Sequence, residues 1–214
     1  HGVEQELINT HYMAPMVHQY LNQSTWLPHI TLVHEKNLLG TGGTILQNRG
    51  FFKDEAFLVA HADNLTIFDL ATFTHKHAVR PTGTEMTMMI FETPDPQSCG
   101  IVSLDSQCVV QAFHEKVDNP PGNLANAAVY IFEPSVVEWL AGMGKTQVDI
   151  STEVIPYFLG RIFISLNTLY HRDIGTMKSW SESNLDFPKL FASEQNIDSW
   201  KKIMASDEGR LVDE

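Results

Sequence analysis

Two carboxylates in this sequence each follow a segment that is typical of a buried strand. Asp63 comes after the apolar run in FLVAHADNL (57–65), and Asp173 ends the strand-like segment TLYHRD before a Gly turn. Buried strands are apolar on both faces, and ligands of open α/β sheets bind just beyond their carboxyl ends. An Asp there can cap the following turn, or it can bind a hard cation such as Mg2+ together with a substrate phosphate. From these residues alone, both alternatives are open.

A glycine-rich segment offers a second candidate ligand site. Glu35 precedes KNLLGTGGT (36–44), which contains Gly40, Thr41 and Gly42 before a predicted helix. Glycines let the backbone approach a ligand closely and present amide N–H groups to it. No Lys follows these glycines, so the segment is not a phosphate loop of the GxxxxGKS/T kind. A plain strand-to-helix turn is the alternative.

Charged and amide side chains also stand near the ends of predicted strands. Glu115 and Lys116 lie in the segment AFHEKV (112–117), at the end of an apolar strand. Because adjacent strand residues point to opposite faces, one of the two must face the sheet interior or a cleft. Lys116 could act as a point charge on a phosphate, and a solvated pair of charges is the alternative. Asn126 adds a lone amide just before a buried strand.

The composition restricts the class of partner. The 214 residues are 43% hydrophobic and 19% charged, and their formal net charge is −12. No apolar run is long enough to span a bilayer. We therefore expect a soluble protein with neither a nucleic-acid nor a membrane partner, since nucleic-acid-binding proteins usually present a basic face. A small phosphorylated ligand stays compatible with this charge, because a bound metal supplies positive charge.

The cysteines and the closely spaced histidines predict no metal site. Cys99 and Cys108 form no CxxC pattern, so we expect two free thiols in a reducing compartment, the cytoplasm. His75 and His77 flank a Lys near the end of a predicted helix. We interpret them as a solvated surface pair, because His residues often simply lie on surfaces.

The predicted elements indicate one mixed α/β domain. Strands and helices alternate through the first third of the chain, which is typical of parallel βαβ units. Successive strands in the middle predict an antiparallel addition to the same sheet. We expect an α/β domain over residues 1–184, with a mixed, mainly parallel sheet flanked by helices. Residues 185–214 are predicted to form an acidic tail with one candidate helix, SEQNIDSWKKIMA.

Seven segments of the chain, taken in order, resemble the sugar-1-phosphate nucleotidyltransferases. The resemblance is strongest to the mannose-1-phosphate or heptose-1-phosphate guanylyltransferase branch and extends from Val3 to about Met177. Each segment alone is unspecific, but seven in register are specific. The segments are ELINTHY, HEKNLLGTGGTI, FLVAHADNL, CGIVSLD, FHEKV, NAAVYIF and YHRDIGT.

The resemblance implies a Rossmann-like fold, the nucleotide-diphospho-sugar transferase fold, with a nucleotide half and a sugar half on one mixed sheet. It implies that an NTP, with GTP favoured, reacts with a sugar 1-phosphate of mannose or heptose type to give an NDP-sugar and pyrophosphate. The base and the sugar rest on the resemblance alone. The resemblance also implies that the NDP-sugar is used in the biosynthesis of cell-surface polysaccharides. The oligomeric state is left open, with a homo-oligomer as one alternative.

The resemblance also implies roles for the candidate residues. Asp63 and Asp173 together would hold the catalytic Mg2+, which favours the metal over the capping alternative. Asp63, Lys116 and Asp173 would be the catalytic residues. The nucleotide side would comprise Glu35, Gly40, Thr41 and Gly42, and the sugar-phosphate side would comprise Gly100, Glu115, Lys116 and Asn126.

The sequence departs from the family at its N-terminus. The family's first strand, its GxGTRLxPLT loop around the triphosphate and the following PKP segment do not occur here. The fold is therefore expected to be N-terminally truncated. Removing a central strand leaves buried backbone groups unpaired at about 1–3 kcal/mol each, against a total stability of about 5–15 kcal/mol. We therefore expect a folded form to contain a strand in that place.

Three smaller departures concern single residues. Ala62 and Ala128 stand where the family usually has Gly, and Val117 stands where it usually has Pro. A non-catalytic homologue that binds sugar nucleotides in a regulatory or assembly role is therefore the alternative to an enzyme.

Overall fold

A mixed sheet centred on one long antiparallel strand organises the part of the chain that the computed structural model describes, residues 3–190. The strands are β1 (Glu6–Thr10), β2 (Ile30–His34), β3 (Phe57–Ala60), β4 (Asn64–Ile67), β5 (Met86–Glu92), β6 (Gly100–Leu104), β7 (Val110–Glu115), β8 (Leu124–Phe132), β9 (Ile162–Leu166) and β10 (Tyr170–Asp173). The helices are α1 (Ala14–Gln23), α2 (Thr41–Gln47), α3 (Leu70–Ala78), α4 (Pro134–Gly142), α5 (Ile155–Tyr157) and α6 (Met177–Leu190).

Strand β8 is the centre of the sheet. It pairs antiparallel with β5 along one edge, and its other edge is shared by β3 and β6. Strand β9 continues the sheet parallel to β5, and β7 continues it antiparallel to β6. Strands β3, β5 and β9 therefore run in the same direction, and their carboxyl ends lie at one edge of the sheet.

The mixed α/β fold is confirmed, but the sheet is less parallel than expected. Of the seven ladders between the described strands, five are antiparallel and two are parallel. The physical reason is the place of β8. The antiparallel strands of the middle region enter the centre of the sheet instead of extending one side of it.

Two apolar clusters cover the two faces of this sheet. The larger one packs beneath α2, α4 and α5, and the smaller one packs beneath α3. The larger cluster includes Met88, Tyr130, Phe132, Val136, Leu140 and Phe158, and the smaller includes Phe73, Met89, Val129 and Ile131. Of the described residues, none between 6 and 34 belongs to either cluster.

Residues 6–34 form a βαβ unit of their own, which we call the N-terminal unit. Strands β1 and β2 pair in parallel, with α1 between them in sequence. Glu35 connects the unit to the rest, because its N–H donates to Thr10 O at 2.9 Å and its carboxylate accepts the hydroxyl of Thr44 on α2. The unit is therefore joined to the main sheet through polar contacts at the end of β2.

Strands β1 and β3 each have one open edge. Within residues 3–190, β1 pairs with β2 alone and β3 pairs with β8 alone. Leu58 of β3 is 38% exposed, although the apolar run around it predicts a buried strand. No described residue supplies the strand that we expect beside these edges, so its presence in a folded form stays a prediction.

Helix α3 corrects the interpretation of the two neighbouring histidines. His75 is exposed, as expected, but His77 is buried. Its Nδ1 lies 2.8 Å from Thr87 Oγ1, and its Nε2 lies 2.9 Å from Glu133 Oε1, which also accepts a bond from Arg80 at 2.6 Å. His77 therefore fastens the end of α3 to the sheet. The prediction of a solvated pair was wrong for this residue.

Helix α6 runs across the predicted boundary at residue 184 and continues to Leu190. The candidate helix SEQNIDSWKKIMA (193–205) lies outside the described residues. Cys99 and Cys108 are free thiols, as predicted. Every helix within residues 3–190 is too short or too polar to cross a lipid bilayer.

Candidate functional site

The structure brings the two strand-end carboxylates together. Strands β4 and β10 pair antiparallel, with Asp173 opposite Asn64, and Ile174 N donates to Asp63 O at 2.8 Å. Both carboxylates border Gly175. A Cβ atom placed there would lie 3.0 Å from Asp173 Oδ1 and 3.5 Å from Asp63 Oδ2. The predicted proximity of the two acids, which we call the acid pair, is therefore confirmed.

The acid pair has the chemistry that Mg2+ prefers. Both side chains are exposed, and Asp173 Oδ1 accepts a hydrogen bond from Gly175 N at 2.7 Å. Mg2+ is usually held by one or two carboxylates together with waters and substrate phosphates. A cation would also relieve the repulsion between two neighbouring negative charges. Among residues 3–190, no group of three or more His, Cys, Asp or Glu side chains is arranged as a metal site. Binding of Mg2+ by the pair stays a prediction.

The ribbon of β4 and β10 is the element that positions this pair, and β4 was missed in the sequence. Its signal was the alternation of apolar residues in NLTIF, at Leu65 and Ile67. His171 of β10 fixes the ribbon from inside, because its Nδ1 lies 2.8 Å from Thr66 Oγ1. Its ring centroid lies 4.2 Å from that of Phe91. Burial lowers the pKa of His171 to about 4, against the opposing effect of the nearby Asp173 charge.

Helix α6 fixes the outer side of the same ribbon. Arg172 of β10 forms ion pairs with Glu182 and Asp186 of α6. The hydroxyl of Tyr170 donates to Asp186 Oδ1 at 2.6 Å. Asp173 therefore ends a strand that is tied to neighbours on two sides, which limits how far its carboxylate can move.

Three residues predicted for the sugar-phosphate side also lie on neighbouring strands, and we call them the sugar-side cluster: Gly100, Glu115 and Asn126. Gly100 pairs with Glu115 across β6 and β7. A Cβ atom on Gly100 would clash with Phe113 Cζ and lie 2.7 Å from Glu115 Oε2, so a larger residue there would require these side chains to move. Asn126 lies on β8, next to the Ile101–Ala125 pair that joins β8 to β6.

The amide of Asn126 is held by two hydrogen bonds. Its Nδ2 donates to Tyr130 OH at 2.7 Å, and its Oδ1 accepts from Ala128 N at 3.0 Å. Burial raises the pKa of Tyr130, and the charge of Glu115 raises it further against the effect of the Asn126 bond. Tyr130 therefore stays a neutral hydroxyl. Tyr130 was missed in the sequence.

Lys116 reaches into solvent beside the sugar-side cluster. Its Nζ lies 4.0 Å from Glu115 Oε1, and its side chain is 67% exposed. Its backbone has a φ of 49°, and its N–H donates to Cys99 O at 3.2 Å. The ammonium group is therefore largely exposed. Its contact with a sugar phosphate stays a prediction.

The glycine-rich segment packs against a distant loop. Gly42 N and Gly43 N both donate to Val148 O, at 2.9 and 3.0 Å. A Cβ atom on Gly40 would lie 2.5 Å from the same oxygen, and Gly40 has a φ of 76°. Thr41 Oγ1 accepts from Ile150 N at 2.8 Å. Within residues 3–190, the N–H groups of Gly40 and Thr41 have no protein acceptor. Their contact with a nucleotide stays a prediction.

Glu35 holds this segment in place. It is buried, and its carboxylate accepts bonds from the hydroxyl of Thr44 and from Leu39 N at 3.2 Å. Asn9 Nδ2 of β1 lies 3.4 Å from the same carboxylate. These contacts support a role for Glu35 in shaping the loop. Its direct contact with a nucleotide stays a prediction.

Sequence comparison finds relatives that are longer than this chain. A mannose-1-phosphate guanylyltransferase of Mycobacterium tuberculosis is 29% identical over 196 residues, which cover 89% of this chain and 54% of the relative. A glucose-1-phosphate adenylyltransferase of Halalkalibacterium halodurans is 27% identical over 178 residues, which cover 76% of this chain and 45% of the relative. The chain therefore spans about half the length of these relatives.

Structural comparison finds the same fold. The structure of HddC from Yersinia pseudotuberculosis, complexed with GMP-PN, has a TM-score of 0.73 and 19% sequence identity to this chain. The match covers 87% of this chain and 80% of that one. The family model described as nucleotidyl transferase matches residues 1–189. The acid pair and the sugar-side cluster thus occur in a chain that belongs to the nucleotidyl transferase family.

Proposed function

We propose that the protein transfers a nucleotidyl group from an NTP to a sugar 1-phosphate, giving an NDP-sugar and pyrophosphate. The observation that carries this proposal is the meeting of Asp63 and Asp173 at the carboxyl-end edge of the sheet. Membership of the nucleotidyl transferase family supports it.

We favour GTP and a sugar 1-phosphate of mannose or heptose type. The name of the Mycobacterium tuberculosis relative and the GMP-PN in the HddC complex support this choice. The Halalkalibacterium halodurans relative is named for adenylyl transfer to glucose 1-phosphate, and it supports a different base and sugar. A homo-oligomer and a cytoplasmic location stay predictions.

In the proposed reaction, a phosphate oxygen of the sugar 1-phosphate attacks the α-phosphorus of the NTP in line, and pyrophosphate leaves. Such transfers depend on positioning and on stabilisation of phosphoryl charge, with little covalent work by the protein. Asp63 and Asp173 would hold Mg2+, which when bound neutralises charge on the phosphate oxygens. Lys116 would neutralise the sugar phosphate. The carboxylate of Glu115 and the fixed amide of Asn126 would orient the sugar.

Pyrophosphate release tests this proposal. The complete natural protein is assayed over a panel of NTPs and sugar 1-phosphates with Mg2+. We expect release with GTP and mannose 1-phosphate or a heptose 1-phosphate, and its loss in Asp63→Asn and in Asp173→Asn. A protein that releases no pyrophosphate from any pair of substrates contradicts the proposal.

A variant of Lys116 tests the sugar-phosphate side separately. In the complete protein, Lys116→Ala should raise KM for the sugar 1-phosphate much more than KM for the NTP. The reason is that the variant lacks the positive charge that is proposed to face the phosphate of the sugar. Lys178→Ala, at an exposed lysine of α6, is the matched control. Unchanged kinetics for the sugar 1-phosphate would mean that Lys116 is a solvated charge with no role in binding the sugar phosphate.

The second candidate function is a non-catalytic protein that binds sugar nucleotides. It is favoured by the backbone of Ala128, which has a φ of 50°, a conformation that suits Gly better. Under this alternative, GDP-mannose binds the complete protein but pyrophosphate release stays at the background rate.

A further inference from the structure

One buried polar atom stands without a partner beside the proposed site. Among residues 3–190, the Nε2 atom of His61 is the single buried side-chain nitrogen or oxygen that has no hydrogen-bond partner. Leaving such a group unpaired costs about 1–3 kcal/mol. Buried polar groups in folded proteins are almost always paired, so an exception calls for a physical explanation.

The backbone fixes where His61 lies. Its N–H donates to Ala128 O at 3.2 Å, which continues the pairing of β3 with β8 by one residue. Its carbonyl accepts from Asn64 N at 3.2 Å. Phe57 and Val59 pack against the larger apolar cluster, and side chains two residues apart on a strand share a face. His61 therefore falls on the same face as that cluster.

This position borders both parts of the proposed site. Asp63 of the acid pair follows two residues later. On the neighbouring strand, the N–H of Ala128, whose carbonyl His61 contacts, donates to Asn126 Oδ1 at 3.0 Å. Asn126 in turn donates to Tyr130 OH, and Tyr130 belongs to the same cluster as Phe57 and Val59. The backbone of His61 is thus linked through Ala128 to the residue whose amide is proposed to orient the sugar.

We propose that His61 binds substrate, and that its Nε2 forms a hydrogen bond with a ring hydroxyl of the sugar 1-phosphate. This inference rests on the proposed function. A neutral imidazole carries one donor and one acceptor nitrogen, and a hydroxyl can serve either of them. A phosphate oxygen can serve only as an acceptor. Of the groups on a sugar 1-phosphate, a hydroxyl therefore fits either tautomer of the ring.

The ring can meet such a hydroxyl without a backbone change. His61 is half-buried, so part of its surface is accessible from solvent. A half-turn about the Cβ–Cγ bond moves Nε2 to the opposite edge of the ring. A site that hydrogen-bonds a substrate hydroxyl rejects an analogue that lacks it much more strongly than an apolar pocket rejects an extra group. His61 would therefore help to select among sugars.

Histidine NMR tests this inference directly. The complete protein, labelled with 15N, is titrated with mannose 1-phosphate, with glucose 1-phosphate and with inorganic phosphate. We expect the Nε2 resonance of His61 to shift with at least one sugar phosphate and not with inorganic phosphate. The exposed His75 should not respond to any of them.

Two other outcomes separate this inference from the proposed function. If the side-chain amide of Asn126 responds to a sugar phosphate and His61 does not, the inference is wrong while the proposed function survives. If neither residue responds to either sugar phosphate, the proposed function and the inference both fail.

Substitutions at His61 give a second test. His61→Leu removes the unpaired nitrogen, so we expect a melting temperature several degrees higher together with at least tenfold weaker binding of mannose 1-phosphate or glucose 1-phosphate. His61→Gln, which keeps polar groups, should retain part of the affinity. His75→Leu is the control and should change neither property. A more stable His61→Leu protein with unchanged affinity for both sugar phosphates would overturn the inference. If His61→Leu does not fold, His61→Gln decides by the same affinity measurement.

Discussion

In the sheet around β8 the ring of Phe132 is fully buried, whereas in the N-terminal unit Tyr20 of α1 is 49% exposed. Both regions alternate apolar strands with helices, and both contain a parallel ladder. They differ in their partners. The sheet has an apolar cluster on each face, while the described part of the N-terminal unit contributes to neither cluster.

Apolar side chains of a strand are buried where other elements pack on its faces, and pairing along both edges adds to that cover. Strand β8 has pairing partners along both edges, and its apolar side chains are covered. Strands β1 and β3 have one partner each within residues 3–190, and Leu58 remains partly exposed. Cover on the faces counts as well as pairing at the edges, because β7 forms a ladder with β6 alone among the described strands and its Val110 is nevertheless fully buried in the larger cluster.

Hydrogen exchange should show the largest contrast between the two regions. Amides of β5 and β8 should exchange only on global unfolding, while those of β1 and β2 should exchange by local opening, because few apolar contacts hold the N-terminal unit. We expect exchange rates that differ by about a thousandfold or more, or ~4 kcal/mol. Measurement of native-state exchange by NMR decides this. Equal protection in both regions would mean that the N-terminal unit is as stable as the sheet around β8.

Adding a strand should reduce that contrast. Extension of the chain with an apolar segment like the family's first strand should pair the open edges of β1 and β3. Each buried group that gains a partner contributes about 1–3 kcal/mol, so the amides of both strands should become strongly protected. The control is an extension of equal length made of Gly and Ser. If the natural protein is monomeric and stable without such a strand, and the apolar extension leaves exchange unchanged, the expectation of a missing strand is wrong.

Truncation of one aromatic side chain in each region should give unequal losses. Phe132→Ala should reduce the free energy of unfolding by about 3–5 kcal/mol, because it leaves a cavity in the larger cluster. Tyr20→Ala should change it by less than about 0.5 kcal/mol, because the ring is largely exposed. Denaturant titration of both variants gives the comparison. A similar loss in both would mean that α1 is packed as tightly as the sheet.

His77, which holds the end of α3 to the sheet, should make the stability of the fold depend on pH. Burial, reinforced by the charge of Arg80, lowers the pKa of His77 below its ordinary 6.5, despite the bond to Glu133. The unfolded chain then binds this proton more readily than the folded chain. Stability should therefore decline as the pH falls through about 6.5 and below.

Denaturant titration at pH 7.5 and pH 5.5 checks this expectation. His77→Gln should weaken the loss of stability at the lower pH. An unchanged pH dependence in His77→Gln would assign the effect to another group.

The smallest expected effect concerns the backbone of β8. Ala128 has a φ of 50°, which costs a residue with a Cβ atom more than it costs Gly. Ala128→Gly should therefore stabilise the fold by up to about 1 kcal/mol, after the entropy of the unfolded chain is counted. Ala127→Gly, at a fully buried neighbour, should destabilise it by a similar amount. Thermal melts of the two variants should shift in opposite directions.

Most elements of this fold and the acid pair could be predicted because their signals are local, although β4 was missed. Asp63 and Asp173 each end an apolar segment, so their common edge follows from the rules of α/β sheets. The packing of the glycine-rich segment could not be predicted, because Thr41 meets Asp149 at a separation of 108 residues. The burial of His77 depends in the same way on Glu133, and nothing in the neighbouring sequence indicates it.

Within residues 3–190, β1 and β3 each have one edge without a partner strand, and such edges affect self-association at high concentration. An unpaired strand edge with apolar side chains is a template for another strand, and natural proteins usually cover it or place charges there. Leu58 lies on the strand with such an edge, and the strand segment FLVA (57–60) contains no charged residue. A polypeptide made of residues 3–190 alone should therefore be able to pair edge to edge with a second copy, and its self-association should grow with concentration until another strand covers these edges.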